Sequence, residues 1–342
     1  MDIFSFKAAN ILLNNPVNSA CLETTFLGPT LTALNDSLIS ITGAKSIARI
    51  NDKEIELWKS VEISKGDILS FEPSIDGIRN YLAIKGGIDV PLIMNSRSTY
   101  LIGKFGGEGG ISLKTGHVIH SKIESHTSDF VRISFLEGFD YINPSNPLEL
   151  RILIGNASNK FSRESIALLW ESTYKISSSS NRIGYRLNGP KINHLDNADI
   201  ISSGNEFGAI QIPGDGHPII LMADRGTTGG YSKIGSVITP DLSQLAQAGP
   251  DHKITFRPVS LNEAQNIYLN NDHVLKSLTS RVTGQEKSIR VIYENQDYQI
   301  NDINNKKITN SNKEADNSKI ETQKYKVEYH GENYELDVQI YR

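Results

Sequence analysis

The densest concentration of groups able to hold an anion lies in residues 208–233, which read GAIQIPGDGHPIILMADRGTTGGYSK. An apolar run ends at Asp224 and delivers Gly226, the hydroxyls of Thr227 and Thr228, then Gly229, Gly230, Tyr231 and Lys233, with Gln211 on the preceding strand. Glycines let successive backbone N–H groups converge on one anion, and hydroxyls and a lysine add donors suited to phosphate or carboxylate. The same residues can also be read as a tight bend capped by Asp224, and composition alone leaves both readings open. A Gly-Lys-Ser/Thr run at P-loop spacing is absent.

Two further stretches carry donors. Asn181-Arg182-Ile183-Gly184-Tyr185-Arg186 places Arg182 and Arg186 four apart; if extended, both guanidinium forks share a face and can grip a planar carboxylate or phosphate, or simply line a solvated strand. Ser96, Arg97, Ser98 and Thr99 stand between glycine pairs 86–87 and 106–107, a setting that fits contact with a ligand or a partner chain and equally fits turn-making. No Gly-x-Ser-x-Gly elbow is present. His117, His120 and His126 lack a spaced carboxylate set, so no metal is assigned.

The elements that must position these groups follow from periodicity. Phe4, Ala8, Ile11 and Leu12 recur at helical spacing over residues 2–14, so the chain opens inside an amphipathic helix. Residues 27–136 alternate short apolar runs with turn residues, and after the turn cluster at 143–147 Leu148, Leu150, Ile152 and Ile154 alternate into a second unit. In that unit Ser162 caps one helix, with Phe161 and Ile166 as a hydrophobic staple. Thr239-Pro240-Asp241 opens another, and the capping box Ser260-Leu261-Asn262-Glu263 a third. Strands are predicted over 209–212, 218–223 and 253–259. Short strands outnumber helices, which predicts barrels or compact mixed sheets over alternating βαβ units. Beyond 285 the chain turns asparagine-rich and linker-like, with a weak hairpin at 289–300. Tyr325, Val327 and Tyr329 against Tyr334, Leu336, Val338 and Ile340 then predict a C-terminal hairpin. The segments are thus 1–145, 146–284, 285–323 and 324–342.

A formal charge of −4 without basic blocks argues against nucleic acid or an anionic membrane as partner. No apolar run approaches a bilayer span and no signal-like start is visible, so a cytoplasmic protein is expected. The single cysteine, Cys21, rules out an internal disulfide and is read as a small buried hydrophobe.

At these same residues the chain resembles the biotin-dependent carboxyltransferase-like family that includes allophanate hydrolase subunit 2 and the C-type subunit of bacterial 5-oxoprolinase. The landmarks are Ala8-Ala9-Asn10, Leu22-Glu23 with Thr25 and Gly28-Pro29, Thr42-Gly43-Ala44, Tyr81-Leu82-Ala83, Gly86-Gly87 through Pro91, Ser96 to Thr99, Arg182 to Leu187, Gly208 to Pro213, and Asp224 to Tyr231. The resemblance implies a mainly β fold of two cyclophilin-like barrel units, here followed by the hairpin. It implies an ATP-dependent lactam hydrolase acting on 5-oxoproline with an A-type subunit and a B-type subunit, the latter like allophanate hydrolase subunit 1 and sharing in ATP use. The alternatives it carries are a urea-type carboxyltransferase component and a regulatory binding protein that antagonises a kinase inhibitor.

Under the resemblance Arg182 and Arg186 orient carboxylate or phosphate, the glycine loop donates N–H groups to oxygen charge, and Asp224 holds the loop. Three departures accompany it. The family normally begins about a strand and a loop earlier, which implies a truncated start. Arg225-Gly226 stands where a glutamine is common. The tail hairpin resembles the opening of a biotinyl domain, yet the methionines are Met1, Met94 and Met222, so there is no Met-Lys-Met acceptor for covalent biotin.

Overall fold

A computed structural model describes residues 1–122, 147–283, 289–293, 296–300, 320–329 and 332–341. His126, the turn at 143–146 and the asparagine-rich stretch 301–319 lie outside the described residues. The chain divides into two compact units, Met1–Leu275 and Lys276–Arg342.

The first unit opens with helix α1 (Ile3–Leu12). Asp2 caps it, with Oδ1 accepting from Ser5 N at 3.0 Å. Eight strands follow: β1 (Leu22–Thr25), β2 (Leu31–Thr32), β3 (Ser37–Lys45), β4 (Ala48–Ile50), β5 (Lys53–Ile55), β6 (Ser60–Ile63), β7 (Ile68–Phe71) and β8 (Asp76–Ile84). They form two four-stranded sheets, in the orders β1-β8-β3-β6 and β2-β7-β4-β5. Strand alternation assigns the faces of β3. Ile39 and Ile41 enter a core with Ala48, Ile63, Leu69 and Leu82, drawn from both sheets. On the other face Leu38 packs with Ala9 and Leu13 of α1. Between them, Ser40 Oγ donates to Ala9 O at 2.6 Å and Thr42 Oγ1 to Ser5 O at 2.7 Å, so the polar residues of this buried face are satisfied by the helix backbone.

The second half of the unit contains β9 (Leu148–Ile154), a 3-10 turn (Asn156–Lys160), α2 (Arg163–Glu171), β10 (Tyr174–Ile176), β11 (Gly184–Asn188), β12 (Asp199–Gly204), β13 (Ala209–Gln211), β14 (Ile219–Leu221), β15 (Thr228–Tyr231), β16 (Lys233–Val237), α3 (Thr239–Gln247), β17 (Lys253–Pro258) and the part of α4 (Leu261–Val282) up to Leu275. Seven strands close a barrel in the order β10-β11-β14-β13-β16-β9-β17. Its closure is a parallel pairing of β17 with β9, in which Phe256 stands opposite Leu150. Leu150, Ile152, Tyr174, Leu187, Ile210, Ile220 and Ile254 fill the interior, and Leu242, Leu245 and Ala246 of α3 extend it. The closed barrel is thus in the second half, whereas the described residues of the first half form two open sheets.

The helix starts agree with the capping residues. Ser162 Oγ accepts from Ser165 N at 3.1 Å, Ser260 Oγ from Glu263 N at 3.2 Å, and Pro240 sits in the first turn of α3. In the second unit β18 (Ile289–Tyr293) pairs with β19 (Gln296–Ile300), and β20 (Ile320–Tyr329) with β21 (Glu332–Tyr341), setting Tyr325 opposite Leu336 and Val327 opposite Tyr334. No described helix is long and apolar enough to cross a membrane.

Candidate functional site

Two strand pairs bring the charged groups together. In the first half, β1 lies antiparallel to β8 with Glu23 opposite Tyr81 and Thr25 opposite Arg79, so these four residues share one face. In the barrel, β11 lies antiparallel to β14, and the pairing continues past the strand ends through Met222 N to Ile183 O at 2.9 Å and Asp224 N to Arg182 O at 2.8 Å. That continuation sets Asp224 against Arg182. Arg182 Nε donates to Asp224 Oδ2 at 2.9 Å and Nη2 to Oδ1 at 3.1 Å, the two-point fork expected of arginine and carboxylate. Its Nη1 donates to Glu23 Oε1.

Glu23 is the hub. Its Oε2 accepts from Tyr81 Oη at 2.9 Å and from the Met1 amino group at 2.9 Å. Tyr81 Oη in turn accepts from Asp2 N at 2.7 Å. Burial pushes the Glu23 carboxyl up, but the Met1 amino group, Arg182 and Arg79 outweigh it, and the pKa falls to about 2. Burial works against the charged form of Arg182 as well, and is overridden by Asp224 and Glu23, which raise its pKa above the ordinary arginine value. Tyr81 is held well above the usual phenol range, first by burial and then by Glu23 and Asp2. Glu23 and Arg182 therefore stay charged and Tyr81 neutral across physiological pH, while burial lowers the pKa of the Met1 amino group below its ordinary value.

Gln247, the last residue of α3, aligns the remaining arginine. Its Oε1 accepts from Ile78 N at 3.1 Å and Arg79 N at 2.9 Å, while Nε2 donates to Arg79 O at 3.0 Å and Asp2 Oδ2 at 2.7 Å. Gly77, at φ +78°, makes this approach possible, since a Cβ there would lie 2.9 Å from Gln247 Oε1. Arg79 Nη1 then reaches Tyr185 Oη at 2.7 Å and the Ala246 carbonyl. Arg79, Arg182, Tyr185, Ser178, Asn181 and Phe26 are among the residues that line a cavity of about 280 Å³.

The structure changes the reading of the glycine stretch. Thr228, Gly229, Gly230 and Tyr231 form β15, which pairs with β12, and none of Gly226, Gly229 and Gly230 has a positive φ. The stretch is a flap strand, because ladder pairing uses the backbone groups that an anion nest needs. Asp224 does not hold it. Asn205 does: Asn205 N donates to Thr227 O at 2.8 Å and Nδ2 to Gly226 O at 3.1 Å, while Oδ1 accepts from Gln211 Nε2 at 3.2 Å. A Cβ at Gly229 would sit 2.7 Å from Asn205 Nδ2 and 2.8 Å from Gln211 Nε2, so a larger residue there must displace the two amides that press on the flap. Lys233 Nζ is engaged by the Gly204 carbonyl and lies 3.6 Å from Glu206.

Arg182 and Arg186 do not form a common fork. Asn181 Oδ1 accepts from Ile183 N at 2.8 Å, which bends the chain before β11 begins at Gly184, so Arg182 turns into the ion cluster while Arg186 stays exposed. Ser96, Arg97, Ser98 and Thr99 pack on the glycine loop: Arg97 Nη1 donates to Val90 O at 2.7 Å, and a Cβ at Gly107 would collide with Thr99 Oγ1. Among the described residues this segment makes no hydrogen bond or ion pair with the Arg182 cluster. His117 and His120 are exposed, and no group of three or more metal-ligating side chains occurs among the described residues. Cys21 packs against the α1 cluster, and burial pushes its thiol up to about 12.

The model for the carboxyltransferase domain, subdomain A and B, matches residues 1–258. The chain belongs to this carboxyltransferase family. Both halves that contribute to the ion cluster lie inside the matched residues. Among its relatives, the C-type subunit of 5-oxoprolinase from Haemophilus influenzae is 32% identical over 278 residues, covering 81% of this chain and 87% of the relative. Its Escherichia coli namesake is 34% identical over 264 residues, covering 77% and 83%. Urea amidolyase of Lachancea kluyveri is 31% identical over 304 residues, covering 81% of this chain but 16% of the relative. The crystal structure of Kluyveromyces lactis urea carboxylase matches with a TM-score of 0.73 at 29% identity, over 81% of this chain and 26% of that one.

From sequence, Glu23 and Tyr81 stand only as family landmarks, and Arg79, Tyr185, Asn205 and Gln247 carry no assigned role. The available signal is a polar pair ahead of an apolar run: Arg79 and Asn80 precede Tyr81-Leu82-Ala83 in β8, and both are buried.

Proposed function

We propose that this chain is the C-type subunit of an ATP-dependent 5-oxoprolinase, which with A-type and B-type subunits converts 5-oxo-L-proline, ATP and water to L-glutamate in the cytoplasm. The supporting observation is coverage in both directions: the chain matches more than four-fifths of two proteins named as C-type 5-oxoprolinase subunits, whereas it spans about a quarter or less of the urea enzymes.

The chemistry asked of the complex is activation of a lactam carbonyl, which needs fixed donors in a site whose charges do not reorganise. Arg182, locked by Asp224 and Glu23, meets that requirement, and β15 with Thr227, Thr228 and Tyr231 supplies an adjustable flap. Ser96 to Thr99 and Arg186 are read as surface that meets substrate or a partner subunit. The described residues do not form a triphosphate cradle, since the glycines of β15 are in a strand and Lys233 is engaged within the chain. ATP is accordingly assigned to the assembled enzyme together with the B-type partner.

The second reading, carboxyl transfer to urea, draws on the match to urea carboxylase. Two assays separate them: glutamate release from 5-oxoproline with A-type and B-type partners, and urea carboxylation from carboxybiotin. Activity in the first alone supports the proposal, and activity in the second alone replaces it.

A further inference from the structure

Arg79 has an unfilled side. It is 4% exposed, and its nearest carboxylate oxygen, Glu23 Oε1, stands 3.9 Å from Nε, beyond hydrogen-bond reach. Nη1 is used by Tyr185 Oη and the Ala246 carbonyl, but Nε is buried without a partner and Nη2 makes no hydrogen bond among the described residues. Nε is closed off beside Glu23, so Nη2 is the donor left to meet a ligand in the cavity. A guanidinium cannot shed its charge to relieve burial, so a donor left unused is costly unless something accepts from it. Glu23 does not serve, because its oxygens are committed to Arg182, Tyr81 and the Met1 amino group.

Arg79 lines the cavity of about 280 Å³, a size near the lower end of small-molecule pockets, roughly 300 Å³ upward. The remaining wall is divided. Ser178, Ser180 and Asn181 offer polar groups, and Phe26, Ile78, Ile176 and Pro250 an apolar side. Phe26 is 51% exposed and held at φ +65°, a left-handed conformation that a bulky residue adopts only where surrounding structure imposes it. Here Phe26 N donates to Ile78 O at 2.7 Å and Ser74 N to Phe26 O at 2.8 Å, fixing the Phe26 backbone beside the cavity.

We propose that this cavity binds a small carboxylate, with a carboxylate oxygen accepting from Arg79 Nη2 and an apolar ring against Phe26. The identity of the ligand as 5-oxo-L-proline rests on the function proposed above; the carboxylate site itself does not. Arg182 is then a wall of the cavity already neutralised by Asp224 and Glu23, and Arg79 is the residue that selects the acid.

The test is calorimetric titration of the intact chain with 5-oxo-L-proline, with 2-pyrrolidone, which has the same ring without the carboxylate, and with inorganic phosphate, together with thermal melts of each variant. The expected result is that 2-pyrrolidone binds at least about tenfold more weakly than 5-oxo-L-proline, and that Arg79→Lys loses a similar factor while keeping its fold. Phe26→Gly suits the left-handed backbone and is expected to keep its melting temperature while weakening 5-oxo-L-proline several-fold; it decides the matter if Arg79→Lys does not fold. Equal binding of the two lactams, unchanged binding by a folded Arg79→Lys, preferential binding of phosphate, or no binding of 5-oxo-L-proline at tens of millimolar overturns the site. A chain that is required for glutamate release yet binds no carboxylate refutes this inference alone. A chain that binds 5-oxo-L-proline through Arg79 yet supports no glutamate release refutes the proposed function alone.

Discussion

Arg182 and Asp224, 42 positions apart, meet through two parallel hydrogen bonds at 2.9 and 3.1 Å because β11 and β14 continue their pairing just beyond the barrel rim. The relationship ties the placement of a charged side chain to the register of two short strands. With a third bond to Glu23, it also joins the sheet of β1 and β8 to the barrel.

Breaking this pair is expected to cost stability as well as activity. Asp224→Asn leaves a partly buried guanidinium short of one carboxylate, and the loss should be about 3 kcal/mol, at the low end for a buried pair because Arg182 keeps 31% of its side chain exposed. Denaturant unfolding measures it. A double-mutant cycle with Glu23→Gln is expected to be non-additive by at least about 0.5 kcal/mol, since both carboxylates bind one guanidinium.

Glu23 gives the protein an acid-sensitive joint. Its pKa in the folded chain is lowered to about 2, so the unfolded state takes up protons first as pH falls. The stabilisation is present in full above the ordinary glutamate pKa, about 4.3, and is lost as pH drops through about 2. The difference in melting temperature between the wild type and Glu23→Gln should therefore shrink steadily between about pH 5 and pH 2. A gap that widens on acidification would contradict the assignment.

Gly77→Ala and Gly66→Ala form a controlled comparison, since both glycines have positive φ, +78° and +92°. At Gly66 a Cβ meets nothing within 4 Å, so only backbone strain of about 1 kcal/mol is expected. At Gly77 the Cβ also strikes Gln247 Oε1 at 2.9 Å and Ala44 Cβ at 3.0 Å, which displaces the amide that holds Ile78 and Arg79. The loss there should be larger by about 1–2 kcal/mol, read by chemical denaturation.

Asn205→Ala is expected to loosen the flap without unfolding the barrel. It removes the bond to Gly226 O and the acceptor for Gln211, a loss of about 1–2 kcal/mol confined to one edge. Hydrogen exchange should accelerate in residues 199–204 and 226–231 and remain unchanged in β9 and β17.

The local elements are legible in the sequence because their signals are local. Ser162, Pro240 and the Ser260–Glu263 box name helix starts through hydrogen bonds made within one turn, and Leu148, Leu150 and Ile152 declare a strand by alternation alone. Mainly β architecture follows from the many short runs. The site is legible only in part. Arg182 and Asp224 stand out as polar residues beside apolar strands, but their pairing depends on a register shared by segments 42 residues apart, which no local pattern contains. The Thr-Thr-Gly-Gly stretch has the composition of an anion loop and folds as a strand, because β12 offers it a ladder. The partnership of Arg79 with Gln247 is invisible for the same reason, since it spans 168 positions.

The most direct measurement is ATP-dependent release of glutamate from 5-oxo-L-proline by this chain combined with A-type and B-type 5-oxoprolinase subunits, run with the wild type, without the chain, and with Arg182→Ala. Release is predicted to require the chain and to fall at least about tenfold with Arg182→Ala in an assembled complex. Release at the same rate without the chain would contradict the proposed function.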